Sequence, residues 1–218
     1  MLPTIYLARH GETAWNLSGQ HTGLTDLPLT ERGAREATSL GARLRDLTFA
    51  TVYTSPLLRA LQTCRLAGFE DRAEVDRDLV EWNYGEYEGR RTNDIHEERP
   101  DWNLFRDGCP GGESPEQVGA RADRILARLR VSEAQGDVLL FSSCHLLRVL
   151  AARWLNLPPL RGKCFFLGTA SLSALGYEGG PDDTVIRLWD DTSHLERATS
   201  PGPVLEAATE TSCHRSPS

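Results

Sequence analysis

Short apolar runs recur along the chain, and most are followed by a stretch with helical spacing. "TIYLA" (4–8), "ATVYTS" (50–55), "AEVDRDL" (73–79), "DVLLFS" (137–142), "SLSALGYE" (171–178) and "TVIRLWD" (184–190) read as strands. "LTERGAREATSLGARLRDL" (29–47), "PLLRALQTCRLAG" (56–68), "SPEQVGARADRILARLR" (114–130) and "LLRVLAARWLNL" (146–157) place apolar or small residues at helical spacing. Thr30 and Ser114 are suitable caps for two of these helices, Pro56 suits a first turn, and Gly68 suits a helix end. "DVLLFS" is apolar almost throughout, as a strand covered on both faces should be. Alternation of this kind predicts an α/β fold: a three-layer α/β/α sandwich around a mainly parallel sheet.

Two segments depart from the alternation. "WNLFRDGCPGGES" (102–114) is too aromatic for a linker and too glycine-rich for regular structure, so it reads as a loop folded over something, with a substrate lid as one candidate. From Arg197 onward the chain is rich in Ser, Thr, Pro and Ala. The expected organisation is therefore one domain over 1–196 and a flexible tail over 197–218.

Composition narrows the function classes. The 218 residues include 24 basic and 31 acidic side chains, a net charge of −7, so a broad nucleic-acid surface is not expected. Any anion site has to be made by local arginines. No signal peptide or membrane span is visible, which points to the cytoplasm, and oligomerisation is left open. Five cysteines, odd in number and without a C-x-x-C pair, suggest reduced thiols rather than a disulfide framework or zinc site.

In open α/β sheets, ligands sit beyond the carboxyl ends of the strands. There the chain places Arg9, His10, Gly11 and Glu12, then Ser55 with Arg59 one turn later, then Glu81, then Ser143, Cys144 and His145. An imidazole flanked by guanidinium groups suits attack on a phosphoryl group: His10 as nucleophile, Arg9 and Arg59 holding the oxygens. Gly11 would let the backbone approach the phosphate, and Glu81 would protonate the leaving oxygen if its surroundings raise its pKa. The scheme needs no metal and no cofactor. Taken singly, Arg59 and Glu81 would be solvated surface groups, and only their shared strand-end position raises them. Trp15, Trp82 and Trp102 are better read as packing residues, and His96, His194 and His214 as bystanders. Serine-hydrolase, phosphate-loop and dinucleotide motifs are absent, and three residues between Cys144 and Arg148 are too few for a cysteine phosphatase.

"ARHGET", "SPLLRALQT", "LVEWNYGEYEG" and the turn at 139–148, in that order, resemble the histidine phosphatase superfamily, which contains cofactor-dependent phosphoglycerate mutases, acid phosphatases and sugar-bisphosphate phosphatases. "GQHTGLTDLPLTERG" and "WNLFRDGCPGGES" are most similar to its small-phosphatase branch, which includes sedoheptulose-bisphosphatase-like enzymes. The resemblance implies a phosphoglycerate mutase-like fold, a phosphorylated His10, phosphate clamps at Arg9 and Arg59, a proton donor at Glu81, and Asn16 and Thr22 in the same pocket. It also exposes a departure. The family's second histidine would stand at Ser143 and its glycine at Cys144, so one donor to the phosphoryl group is missing, while His145 remains as a candidate substrate contact. The expected activity is hydrolysis of a small phosphorylated metabolite, such as a sugar phosphate or bisphosphate, with turnover lowered by Ser143. A phosphoglycerate mutase-type transfer and a pseudo-phosphatase that only binds phosphorylated ligands are the alternatives.

Overall fold

A computed structural model describes residues 2–132 and 136–196. The tail expected over 197–218 lies outside the described residues. Six strands form one sheet: β1 (Ile5–Arg9), β2 (Thr51–Thr54), β3 (Ala73–Val75), β4 (Val138–Ser142), β5 (Leu172–Tyr177) and β6 (Thr184–Asp191). Their order is β3-β2-β4-β1-β5-β6. Neighbours from β3 to β1 pair in parallel, while β5 is antiparallel to both β1 and β6. The mainly parallel α/β expectation therefore holds, with β5 as the single reversed strand.

The period-2 alternation of β1 and β4 divides the core between the two sheet faces. Ile5, Leu7, Val138 and Leu140 face a large cluster with α6 (Pro115–Ser132) and α7 (Cys144–Trp154). Ala8, Leu139 and Phe141 face a smaller one that includes Leu40 and Leu44 of α2 (Glu31–Leu44) and Cys64 of α3 (Leu58–Leu66). Every residue of β4 is buried, as its apolar run requires. Thr30 caps α2, its hydroxyl accepting the Gly33 N–H at 3.0 Å.

Three boundaries move for physical reasons. β3 is shorter than "AEVDRDL" because the Asp76 carboxylate accepts the Asp78 N–H at 2.9 Å and starts a 3-10 turn at Arg77–Leu79. Helix α3 begins at Leu58 rather than Pro56, where the Asp26 carboxylate takes its amide. Helix α7 begins at Cys144, two residues before the apolar periodicity, with Ser143 as its N-cap residue.

The segment 102–114 is not a lid lying over the site. It contains the short helix α5 (Leu104–Asp107), and Trp102, Leu104, Phe105 and Cys109 are all buried in the larger core cluster. Its aromatic content reflects packing. No helix among the described residues is long and apolar enough to cross a membrane.

Candidate active site

The parallel pairing of β1 with β4 sets the site. Arg9 lies opposite Ser142, and the His10 amide donates to the Ser142 carbonyl at 3.0 Å. The loops leaving the two strands therefore emerge side by side. Between them is a cavity of about 80 Å³, space for a few waters or one small anion at roughly 30 Å³ per water. Arg9, His10, Asn16, Thr22, Glu81 and His145 line it. So do Gln20, His21, Tyr84 and Cys144.

His10 is 3% exposed, and its Nδ1 lies 2.7 Å from the Gly11 carbonyl. A carbonyl only accepts, so Nδ1 carries the proton and Nε2 keeps its lone pair. Burial, reinforced by the charges of Arg59 and Arg9, holds the ring's pKa well below the ordinary imidazole value. The result is a neutral imidazole with a free nitrogen, the state a nucleophile needs.

Gly11 has a different role from the expected approach to phosphate. A Cβ there would meet the Gly33 carbonyl oxygen at 2.3 Å, and one on Gly33 would meet the Glu12 oxygen at 2.1 Å. The two glycines let the loop after β1 pack directly against α2. Buried Glu12 and Glu36 secure the same loop, with Thr30 Oγ1 donating to Glu12 at 2.8 Å and the Glu12 amide to Glu36 at 3.0 Å.

Arg59 is completely buried behind the cavity wall. Nη2 donates to the carbonyls of Thr22 and Gly23, and Nη1 to that of Thr25. Those bonds use three of its five N–H groups. Nε–H remains buried without a partner, as does Nε–H of Arg9, whose Nη1 donates to the Leu167 carbonyl. Two buried, unsatisfied guanidinium donors beside His10 are costly without an anion. Asn16 is held by the capping box of α1 (Ala14–Ser18): its Oδ1 accepts the Thr13 N–H at 2.9 Å, leaving its amide N–H groups for the cavity.

Glu81 is 3% exposed and fully hydrogen-bonded. Oε1 accepts the Trp82 and Leu146 amides, each at 2.9 Å, and Oε2 the His145 amide at 3.0 Å. Burial pushes its pKa up, but the adjacent His145 ring and these amides, two of them at the N-terminus of α7, outweigh burial and hold the carboxyl well below the usual range. This corrects the sequence expectation. In the resting site Glu81 is a carboxylate rather than a proton donor.

An ion pair between buried Arg121 and half-buried Glu113 positions that carboxylate. Arg121 of α6 forms a two-pronged contact with Glu113, at 3.0 and 2.7 Å, and also donates to the carbonyls of Asp78, Val80 and Glu81. Oε2 of Glu113, which takes Arg121 Nη2, also accepts the Asn83 amide at 2.8 Å. The sequence reading missed this pair, although "GGES" lies within the segment it singled out. It also missed Tyr84, Gln20 and His21 as cavity residues. Burial holds His21 at a pKa of about 4, so its ring is neutral in the cavity wall. Ser143 is completely buried, does not line the cavity, and its Oγ has no hydrogen-bond partner.

The chain is similar to several known phosphatases. An acid phosphatase of Mycobacterium tuberculosis is 42% identical over 178 residues, covering 81% of this chain and 87% of the relative. A sedoheptulose 1,7-bisphosphatase of Saccharomyces cerevisiae is 40% identical over 188 residues, covering 72% and 69%. Among solved structures, the product of a Mycobacterium tuberculosis open reading frame superposes with a TM-score of 0.82 at 39% identity, over 86% of this chain and 97% of that one. The alpha-ribazole phosphatase of Shigella flexneri gives 0.76 at 28%, over 87% and 96%. The family profile matches residues 5–192, and the chain belongs to the histidine phosphatase superfamily, branch 1.

Proposed function

We propose that this phosphatase hydrolyses a small phosphomonoester, such as a sugar phosphate, through a phosphohistidine on His10. The observation that carries this reading is the His10 ring itself: Nδ1 is tied to a carbonyl, Nε2 is free, and Arg9 and Arg59 each keep a buried Nε–H without a partner. Nε2 attacks phosphorus as the bond to the leaving oxygen breaks, and Arg9 and Arg59 hold the phosphoryl oxygens. Asn16 and Thr22 contribute to the same pocket. Water then attacks phosphorus, the P–N bond breaks, and Glu81 accepts the water's proton.

The leaving oxygen needs a proton that resting Glu81 does not hold. A phosphomonoester monoanion brings one, and its second pKa is near 6. The depressed pKa of His10 keeps the nucleophile neutral on that acidic side. The catalytic unit is residues 1–196, and the cytoplasm fits the free thiols of Cys64, Cys109, Cys144 and Cys164.

Incubation with a panel of phosphosugars and 3-phosphoglycerate tests the proposal. It predicts release of inorganic phosphate, with kcat/KM declining above about pH 6. An isomeric monoester as product would establish a mutase instead. Phosphate binding with no release would establish the pseudo-phosphatase that Ser143 suggests.

A further inference from the structure

Ser143 leaves the wall opposite His10 without the expected imidazole, yet another imidazole stands in that wall. The His145 ring lines the cavity, and its Nδ1 lies 2.6 Å from the Tyr84 hydroxyl. Either group could donate in this pair; Tyr84 Oη has no other protein partner among the described residues, and donation to Nδ1 is the arrangement that gives its one proton an acceptor. A neutral imidazole that accepts at Nδ1 must carry its own proton on Nε2. Nε2 has no protein partner among the described residues either. Glu81 Oε2 lies farther from Nδ1, at 3.7 Å, than the Tyr84 hydroxyl does. The ring plane is fixed by His21, Tyr84 and Phe105 around it, with ring centres of His145 and Phe105 5.4 Å apart and of His145 and Tyr84 5.9 Å apart.

We propose that His145 donates its Nε2–H to the bound phosphoryl group in place of the donor lost at Ser143, and that Tyr84 is the positioning residue that imposes the required tautomer. The inference rests on the reading of the cavity as a phosphate site. No bond is made or broken at His145, whose task is to stabilise charge on the phosphoryl oxygens. Burial pushes the His145 pKa down and the Tyr84 pKa well up, so both groups are in the protonation states this arrangement needs. Orientation of an imidazole by a second hydrogen bond follows the same logic as in metal and triad sites.

Nitrogen-15 NMR of the histidine rings in the full chain, titrated with orthophosphate in mildly alkaline buffer, reads the tautomer and the contact together. The expected spectrum shows the His145 proton on Nε2, and phosphate shifts that signal along with those of His10. In Tyr84→Phe the two His145 nitrogens move toward a tautomer mixture. His145→Ala weakens phosphate about 10- to 100-fold, the range for a hydrogen bond to a charged group. Tyr84→Phe weakens it about 2- to 10-fold in the native background, as a partial loss of the same donor, and has no further effect on His145→Ala. A proton resident on Nδ1, or an undiminished effect of Tyr84→Phe without His145, would overturn the inference. So would phosphate shifts at His10 with none at His145. If phosphate shifts neither ring, the phosphate-site reading itself fails, and the inference with it.

Discussion

A Ser143→His variant turns over phosphomonoesters about 10- to 100-fold faster than the native chain, less than the roughly 100- to 1000-fold effect of a wholly missing donor because His145 already supplies part of that stabilisation. Residue 143 follows the strand position paired with Arg9, beside the loop that carries His10. It is the N-cap residue of α7, yet its hydroxyl caps nothing and has no partner. Losing that hydroxyl removes a buried unsatisfied group, so the gain in turnover comes without the loss of a native contact. Steady-state assays with a chromogenic phosphomonoester, on samples matched by thermal denaturation, measure the ratio. A folded variant within about threefold of the native rate, against the expected tenfold or more, would show that Ser143 is not what limits this site.

The second large effect is on stability. Arg121→Met leaves the Glu113 carboxylate and the carbonyls of Asp78, Val80 and Glu81 without their shared donor. Breaking a fully buried pair from one side costs about 3–5 kcal/mol; because the Glu113 side chain keeps 21% exposure, a loss of about 2–3 kcal/mol is expected. Arg121→Lys keeps the charge but loses the planar fork, and is expected to cost about 1–2 kcal/mol. Urea denaturation at neutral pH measures both. A loss below about 1 kcal/mol for Arg121→Met, far under the buried-pair range, would mean that the 78–84 segment does not depend on this pair. Its attachment to Glu81 also links the fold to the chemistry, so kcat should fall further in these variants than KM rises.

What the sequence revealed follows from distance along the chain. Arg9 and His10 are adjacent, and their place at the end of an apolar run was enough to mark them. Asn16 and Thr22 follow within the next turns of chain and do line the cavity. By contrast, the Tyr84–His145 bond joins residues 61 apart, and Arg121 reaches Val80 across 41. Neither pairing leaves a local pattern. Aromatic residues at 102–114 suggested a cover over the site, but composition cannot distinguish a lid from a segment tucked into the core. Gly11 was marked for approach to phosphate, whereas what it lets close is the backbone of Gly33. The Glu81 environment was the least legible feature, since its sign depends on the His145 side chain and the His145 and Leu146 amides, brought to it only by folding.

The central claim is that His10 Nε2 becomes covalently phosphorylated. Rapid acid-free quench of the native protein with a phosphorus-32-labelled phosphomonoester, followed by gel analysis in alkaline buffer, tests it most directly. The account predicts a base-stable, acid-labile labelled protein, with the label absent from His10→Ala and retained in Glu81→Gln. Equal labelling of His10→Ala, or steady phosphate release with no labelled protein at any time, would contradict it.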